Sequence, residues 1–181
     1  MSLGGPVATE SARRRFNEMV LPHLDDAFGL ARWLTGNRTD AEDVVQDACM
    51  RALASLETAV VERPRPWVLT IVRNTAFSWL AKNRPRAVVL TSDLEQQYAA
   101  TALTDCAPDP EEAMIAGADE AALESAIQAL PHIFREVIVM RDINGMSYRE
   151  IAAAIDAPQG TVMSRLARAR AHLVEKLGSP A

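Results

Sequence analysis

Gly145-Met146-Ser147-Tyr148-Arg149-Glu150-Ile151-Ala152-Ala153-Ala154-Ile155-Asp156-Ala157-Pro158-Gln159-Gly160-Thr161-Val162-Met163-Ser164-Arg165-Leu166-Ala167-Arg168-Ala169-Arg170 carries the signals of two short helices and the turn between them. Ser147 followed by Glu150 is a capping box, in which two side chains take up backbone N–H groups of the first turn. Ile151, Ala152 and Ile155 then fall on one face of a short helix, and Asp156-Ala157-Pro158 reads as a three-residue turn. A second helix is expected from about Gln159 to Leu177, with Val162, Leu166, Ala169, Leu173 and Leu177 inward. Two short helices joined this way cross steeply, and the small Ala152 permits their close approach.

The outward side of the second helix, near its N-terminus, is expected to show Thr161, Ser164, Arg165 and Arg168, with Arg170 beyond. Gln159 to Leu177 holds four basic residues and one acid, a local +3 in a chain of net charge −5. A recognition helix lying in a DNA major groove meets base edges and phosphates at this place. Arginine can take guanine with two hydrogen bonds, and serine and threonine suit a base edge or a phosphate. A solvated amphipathic helix and a protein-binding module are the alternatives at this stage.

Upstream, a helix is expected from about Ile133 to Ile143, stopped by Asn144-Gly145. Asp109-Pro110-Glu111-Glu112 opens an earlier one, with Asp at the cap, Pro at the first position and acids near the positive end of the dipole. That helix ends near Leu130-Pro131. Residues 87–108 have weak periodicity and read as a flexible acidic linker, with one short helix capped by Ser92 and Glu95. The charge is divided accordingly. Met1–Arg86 has 12 basic and 10 acidic residues, Ala87–Phe134 has no basic and nine acidic ones, and Arg135–Ala181 has seven basic and five acidic ones.

The first part of the chain also reads as helical. One periodic stretch runs from about Phe16 to Leu34 and stops at Gly36-Asn37. Thr39 and Glu42 form a capping box for a second helix with Ala41, Val44, Val45, Ala48, Cys49, Ala52, Leu53 and Leu56 on its apolar face. Asp40, Asp43, Gln46, Asp47 and Arg51 lie opposite. Glu57 to Pro66 reads as a loop, and a third helix runs from Trp67 to about Lys82, with Val68, Ile71, Val72, Thr75 and Trp79 on one side. The fold class is all-α, with two small helical domains at residues 10–86 and 109–178 and no internal repeat.

Several function classes fall away. No window approaches the ~18 consecutive apolar residues of a membrane span, and Met1–Ala12 lacks the apolar core of a signal peptide. The expected location is cytoplasmic, with no membrane insertion. Cys49 and Cys106 match no metal-ligand spacing and His23, His132 and His172 are scattered, so neither metal nor cofactor is expected. Cys49 reads as a buried, inert thiol. No glycine-rich phosphate loop, Ser/His/Asp arrangement or distinct carboxylate pair is present, which argues against an enzyme.

Gly145-Met146-Ser147-Tyr148-Arg149-Glu150-Ile151-Ala152, with Pro158 to Arg170, closely resembles region 4 of extracytoplasmic-function (ECF) sigma factors, compact two-domain members of the sigma-70 family. Asp40-Ala41-Glu42-Asp43-Val44-Val45-Gln46-Asp47-Ala48 resembles region 2.2, and Pro66-Trp67-Val68-Leu69-Thr70-Ile71-Val72-Arg73-Asn74 resembles the start of the helix carrying regions 2.3 and 2.4. The resemblance implies that Asp40, Asp43, Gln46, Asp47 and Arg51 dock on the β′ clamp helices of core RNA polymerase. It implies that loop Glu57–Pro64 captures an unstacked base of the −10 element, at a residue this variable loop does not reveal. The linker would thread toward the polymerase cleft, and Thr161, Ser164, Arg165 and Arg168 would read the −35 element beside the β flap. An anti-sigma factor is a further implied partner, and stress response an implied setting.

Departures from the family pattern are Met163 at a commonly basic position, Asp156 for the usual turn glycine, and Ser78 and Ala81 at positions usually acidic and basic. Two other readings stay open. A sigma mimic that binds an anti-sigma factor usually carries a receiver domain, which this sequence does not show. A stand-alone helix-turn-helix regulator leaves the region 2.2-like helix unexplained.

Overall fold

The computed structural model describes residues 9–84 and 120–178. Those residues are helical apart from their connections, and they cluster into two compact units that divide between Ser78 and Trp79. The expected domain edges at 86/87 and 108/109 lie outside the described residues, as do the Ser92/Glu95 helix and the Asp109 helix start.

In the first unit, α1 spans Glu10–Met19 and is capped by Thr9, whose hydroxyl accepts from the Ala12 N–H at 3.2 Å. The single stretch expected over Phe16–Leu34 is broken by Pro22 into a short 3₁₀ turn, Leu21–His23, before α2 at Leu24–Thr35. Gly36 ends α2 at φ 86°, a left-handed conformation that costs glycine nothing. Its N–H donates to the Arg32 carbonyl at 2.8 Å.

The next helix, α3, spans Arg38–Ser55 and is capped by Asn37, not by Thr39. Asn37 is extended, and its side-chain oxygen accepts from the Asp40 N–H at 2.9 Å while its amide donates to the Asp40 carboxylate at 2.5 Å. Because Gly36 leaves the chain extended at Asn37, the helix begins earlier and Thr39 falls inside the first turn. Glu42 pairs instead with Arg38 at 2.8 Å. The following helix, α4, begins at Pro64 rather than Trp67 and runs to Asn83, past the division after Ser78. Pro64 and Pro66 sit in its first turn, where N–H groups have no helical acceptor to lose.

Leu30, Ala31 and Leu34 of α2, Ala41, Val44, Ala48 and Ala52 of α3, and Val68, Leu69, Val72 and Ala76 of α4 are buried. The alanine row on α3 permits close approach of its neighbours. A small cavity lined by Ala27, Ala48, Cys49, Val68 and Val72, among others, marks where the three helices meet. Leu69 and Ala76 widen the α4 face beyond the expected one, and Ile71 and Trp79 are only half-buried. Thr75, buried, donates its hydroxyl to the Ile71 carbonyl at 2.8 Å.

In the second unit, α5 spans Glu120–Gln128 and α6 spans His132–Ile138. The helix continues as a wider π segment, Val139–Ile143, with the Asn144 N–H reaching the Val139 carbonyl at 2.9 Å. Then come α7 at Tyr148–Ile155 and α8 at Gln159–Leu177. The last packs on α5, α6 and α7 through Val162, Leu166, Ala169 and Leu173. Leu177 is half-buried, one turn past the end of that contact.

Asp156 is the single non-glycine residue at positive φ among those described, at φ 52° and ψ 51°. It stands where the chain leaves α7. Asp156→Val should lower the stability of this unit by roughly 1–2 kcal/mol, because branching at Cβ worsens the left-handed clash. Asp156→Gly should leave it within about 0.5 kcal/mol, since relief of that clash is offset by a freer unfolded chain. Urea midpoints of the two variants measure the difference.

Candidate nucleic-acid interface

The two helices that would meet a duplex are held by local bonds first. Ser147 and Glu150 form the expected capping box: the Glu150 N–H donates to the Ser147 hydroxyl at 3.3 Å, and the Ser147 N–H donates to the Glu150 carboxylate at 2.7 Å. Ile151, Ala152 and Ile155 point inward as expected. The Asp156–Pro158 turn leads into α8, whose N-terminal end leaves Gln159, Gly160 and Met163 exposed.

The expected contact residues are not equivalent. Thr161 and Ser164 are half-exposed, and the Ser164 hydroxyl donates to the Thr161 carbonyl at 3.0 Å. Arg168 is also half-exposed. Arg165, expected on the outward side, is turned inward: its side chain is 15% exposed and its guanidinium lies 3.3 Å from the carboxylate of Glu136, which is 0% exposed. Arg170 pairs with Asp142 at 3.2 Å. The reason is the buried acid. A carboxylate placed among Ile133, Phe134, Val137 and Ile138 requires a counter-charge, and α8 supplies it. The signal for this was an acid interrupting an apolar run, Ile133 to Met140. Arg149, exposed on the first turn of α7, is a further cation of the motif that the reading of the second helix alone passed over.

The base of this unit carries a second buried polar cluster. Arg135 donates to the carbonyls of Gln128 and Leu130, the latter at 2.9 Å, and so closes the α5–α6 corner. Burial pulls its pKa down to about 10, still far above neutrality. Burial and the Arg135 charge lower His132 to about 4, so its ring is neutral in the folded unit near pH 7. Phe134 and His172 pack with ring centroids 5.5 Å apart, joining α6 to α8.

On the first unit, Asp43, Gln46, Asp47 and Arg51 lie exposed along α3, and Asp40 is half-exposed beside its cap Asn37. Arg51 and Asp47 pair at 3.0 Å one turn apart. The five residues share one helix and form a mixed, mostly acidic surface. Cys49 is half-buried, and burial raises its thiol pKa, which suppresses the reactive thiolate. Among the described residues, no group of three metal-ligating side chains comes together, and no helix is long and apolar enough to cross a membrane.

Residues 19–86 match the family "Sigma-70 region 2", and residues 120–173 match "Sigma-70, region 4". The ECF RNA polymerase sigma-E factor of Haemophilus influenzae is 32% identical over 170 residues, covering 91% of this chain and 88% of that protein. The chain belongs to the sigma-70 family, as an ECF sigma factor. The ECF RNA polymerase sigma factor SigE of Mycolicibacterium smegmatis is 32% identical over 168 residues, 93% of this chain but 63% of that protein, so this sigma factor spans less than two thirds of that relative. Two solved structures share its fold. The sigma factor RpoE in complex with the anti-sigma factor NepR from Bartonella quintana aligns with a TM-score of 0.68 at 25% identity, covering 93% of this chain and 99% of that one. CnrH in complex with the cytosolic domain of CnrY aligns with a TM-score of 0.62 at 27% identity, covering 96% of each chain.

Two measurements follow. Arg165→Ala in this sigma factor removes a counter-charge of the buried Glu136 and should destabilise the second unit by about 3–5 kcal/mol, whereas Arg165→Met combined with Glu136→Leu should recover most of the loss. Equilibrium urea unfolding of that unit decides it, and a change below ~1 kcal/mol for the alanine variant would show the pair to be unimportant. His132 gives the pH dependence. The unfolded chain takes up a proton near 6.5 that the folded unit refuses until about 4, so stability is full above pH 6.5 and declines as pH falls toward 4. His132→Phe should flatten that decline when urea midpoints are compared at about pH 7 and about pH 5.

Proposed function

We propose that this sigma factor binds core RNA polymerase, brings it to promoters carrying a −35/−10 pair, and opens the −10 region, with no catalysis of its own. The observation that carries the proposal is the second unit's helix-turn-helix, whose α8 keeps Thr161, Ser164 and Arg168 accessible at the end that enters a groove. These residues read the −35 element, with Arg165 behind them on its Glu136 support. On the first unit, the exposed α3 side chains Asp43, Gln46, Asp47 and Arg51, with Asp40, dock on the β′ clamp helices. The 57–64 loop takes an unstacked −10 base, and residues 87–108 join domains at 10–86 and 109–178. The second domain sits by the β flap.

An anti-sigma factor is proposed as regulator. One solved relative was captured with an anti-sigma factor and the other with the cytosolic domain of CnrY. The proposed setting is cytoplasmic, in a stress response.

Run-off transcription with purified bacterial core polymerase on a library of genomic promoters tests the proposal. The full chain should direct initiation from a defined subset, and failure to bind core or to initiate anywhere would refute it. Arg168→Ala should weaken binding to −35 DNA about tenfold, as expected for loss of one good arginine contact, with an unchanged melting temperature. Asp43→Lys should weaken core binding and leave −35 affinity alone. Equal −35 affinity for Arg168→Ala and wild type would remove Arg168 from the contact set.

A further inference from the structure

Arg15 leaves α1 and reaches a segment some forty residues away. Its Nη1 donates to the Leu56 carbonyl at 2.5 Å and its Nη2 to the Ala59 carbonyl at 2.6 Å. Leu56, itself buried, closes α3. Thr58 and Ala59 fold back on the Ser55 carbonyl, their N–H groups donating at 3.2 and 2.9 Å. One planar fork thus holds both ends of the short turn 56–59. The next residue, Val60, is 91% exposed, and α4 begins at Pro64.

A cation at the C-terminal end of a helix is favourable for any residue that can put one there, because the last carbonyls lack partners and the dipole is negative. Water or a lysine would satisfy those carbonyls too. What a guanidinium adds is a fixed angle between two bonds, so the turn is held in one shape. That shape contributes nothing to burial at Val60, which touches solvent over almost its whole side chain. Singly exposed apolar residues are ordinary; what sets Val60 apart is the pinned turn beside it, which would hold an apolar side chain against the face of an unstacked base.

We propose that Arg15 is a positioning residue for −10 recognition: by pinning the Leu56 and Ala59 carbonyls it holds Val60 in place to meet the extruded base. The proposal rests on the promoter-opening reading above. Arg15 itself touches no DNA. It acts from inside the unit, through the backbone of the loop, and so separates −10 selectivity from both core docking on α3 and −35 reading on α8.

The test uses holoenzyme assembled from the full chain and core polymerase, on a promoter that the wild-type holoenzyme selects from a random library. The −10 strand is presented unpaired, with each base replaced in turn. Arg15→Ala should reduce discrimination at one −10 position about tenfold, the order expected for loss of charge-assisted bonds that fix the contact. Arg15→Lys, with donors but no fork, should fall between that variant and wild type. Val60→Ser should reduce discrimination at the same position. Core affinity and −35 preference should stay within about twofold throughout.

A base-preference profile of Arg15→Ala that coincides with wild type overturns the proposal, as does an effect of Val60→Ser at a different position. Loss spread evenly over every position, core affinity and −35 preference also overturns it, because that marks a merely structural residue. Should Arg15→Ala not fold, Arg15→Lys and Val60→Ser decide the matter by the same profile. A wild-type holoenzyme without any base preference on the unpaired strand refutes the underlying promoter-opening reading instead.

Discussion

The second unit depends on one constraint: α8 must be the core of its own small domain and still offer side chains to another molecule. It meets the constraint by dividing its circumference. Val162, Leu166, Ala169 and Leu173 bury a stripe against α5, α6 and α7, and that stripe supplies most of what holds the unit together. Arg165 and Arg170 flank it, and each is tied to an acid earlier in the unit, Glu136 of α6 and Asp142 of the π segment that continues it. The sector around Gln159, Gly160 and Met163 is left exposed. Arg165, whose partner is wholly buried, cannot be moved without disturbing how α8 is seated. The register of the outward residues is therefore set by an ion pair that faces inward.

The same division recurs on α3 by simpler means. Alanines occupy Ala41, Ala48 and Ala52 of its inner face, which brings α2 close and leaves the long polar side chains outside. There the charged residues pair within the helix, Arg38 with Glu42 and Arg51 with Asp47, at exposed sites where each pair contributes at most a few tenths of a kcal/mol. Such pairs shape a surface more than they stabilise it. A surface of this kind can exchange its partners for those of a docking protein at small cost, whereas the buried Arg165–Glu136 pair cannot.

What was readable in the sequence was what depends on neighbours a few residues apart. The Ser147/Glu150 box, the inward Ile151 and Ile155, and the extent of α8 all follow from local chemistry, and the structure has them as expected. Local reading failed where two local answers competed. Asn37 and Thr39 are both good caps, and only the left-handed Gly36 before Asn37 selects between them. Proline at 64 and 66 can end a loop or open a helix, and here it opens one. Long-range answers were not readable at all. Whether Arg165 faces solvent is decided by a carboxylate 29 residues away, and the partners of Arg15 lie 41 and 44 residues along the chain.

The inward arginines also bear on how strongly the second unit can hold DNA alone. Sequence arithmetic assigns α8 a charge of +3, from Arg165, Arg168, Arg170 and Lys176 against Glu175. Two of those cations are paired with acids of the same unit, so the field that reaches a phosphate is weaker than the count suggests. Affinity for duplex DNA rises with the number of phosphates neutralised, each contributing about −0.9 to the slope of log K against log salt. With two of the four α8 cations answered by acids, the unit has less non-specific affinity to build on than its charge count suggests. On the proposed reading this is an advantage. A weak −35 grip becomes useful only when core polymerase holds it at a fixed distance from a second grip, where the effective concentration of one site near the other replaces intrinsic affinity. Off the polymerase, the same weakness keeps the protein from occupying promoters that it could not open.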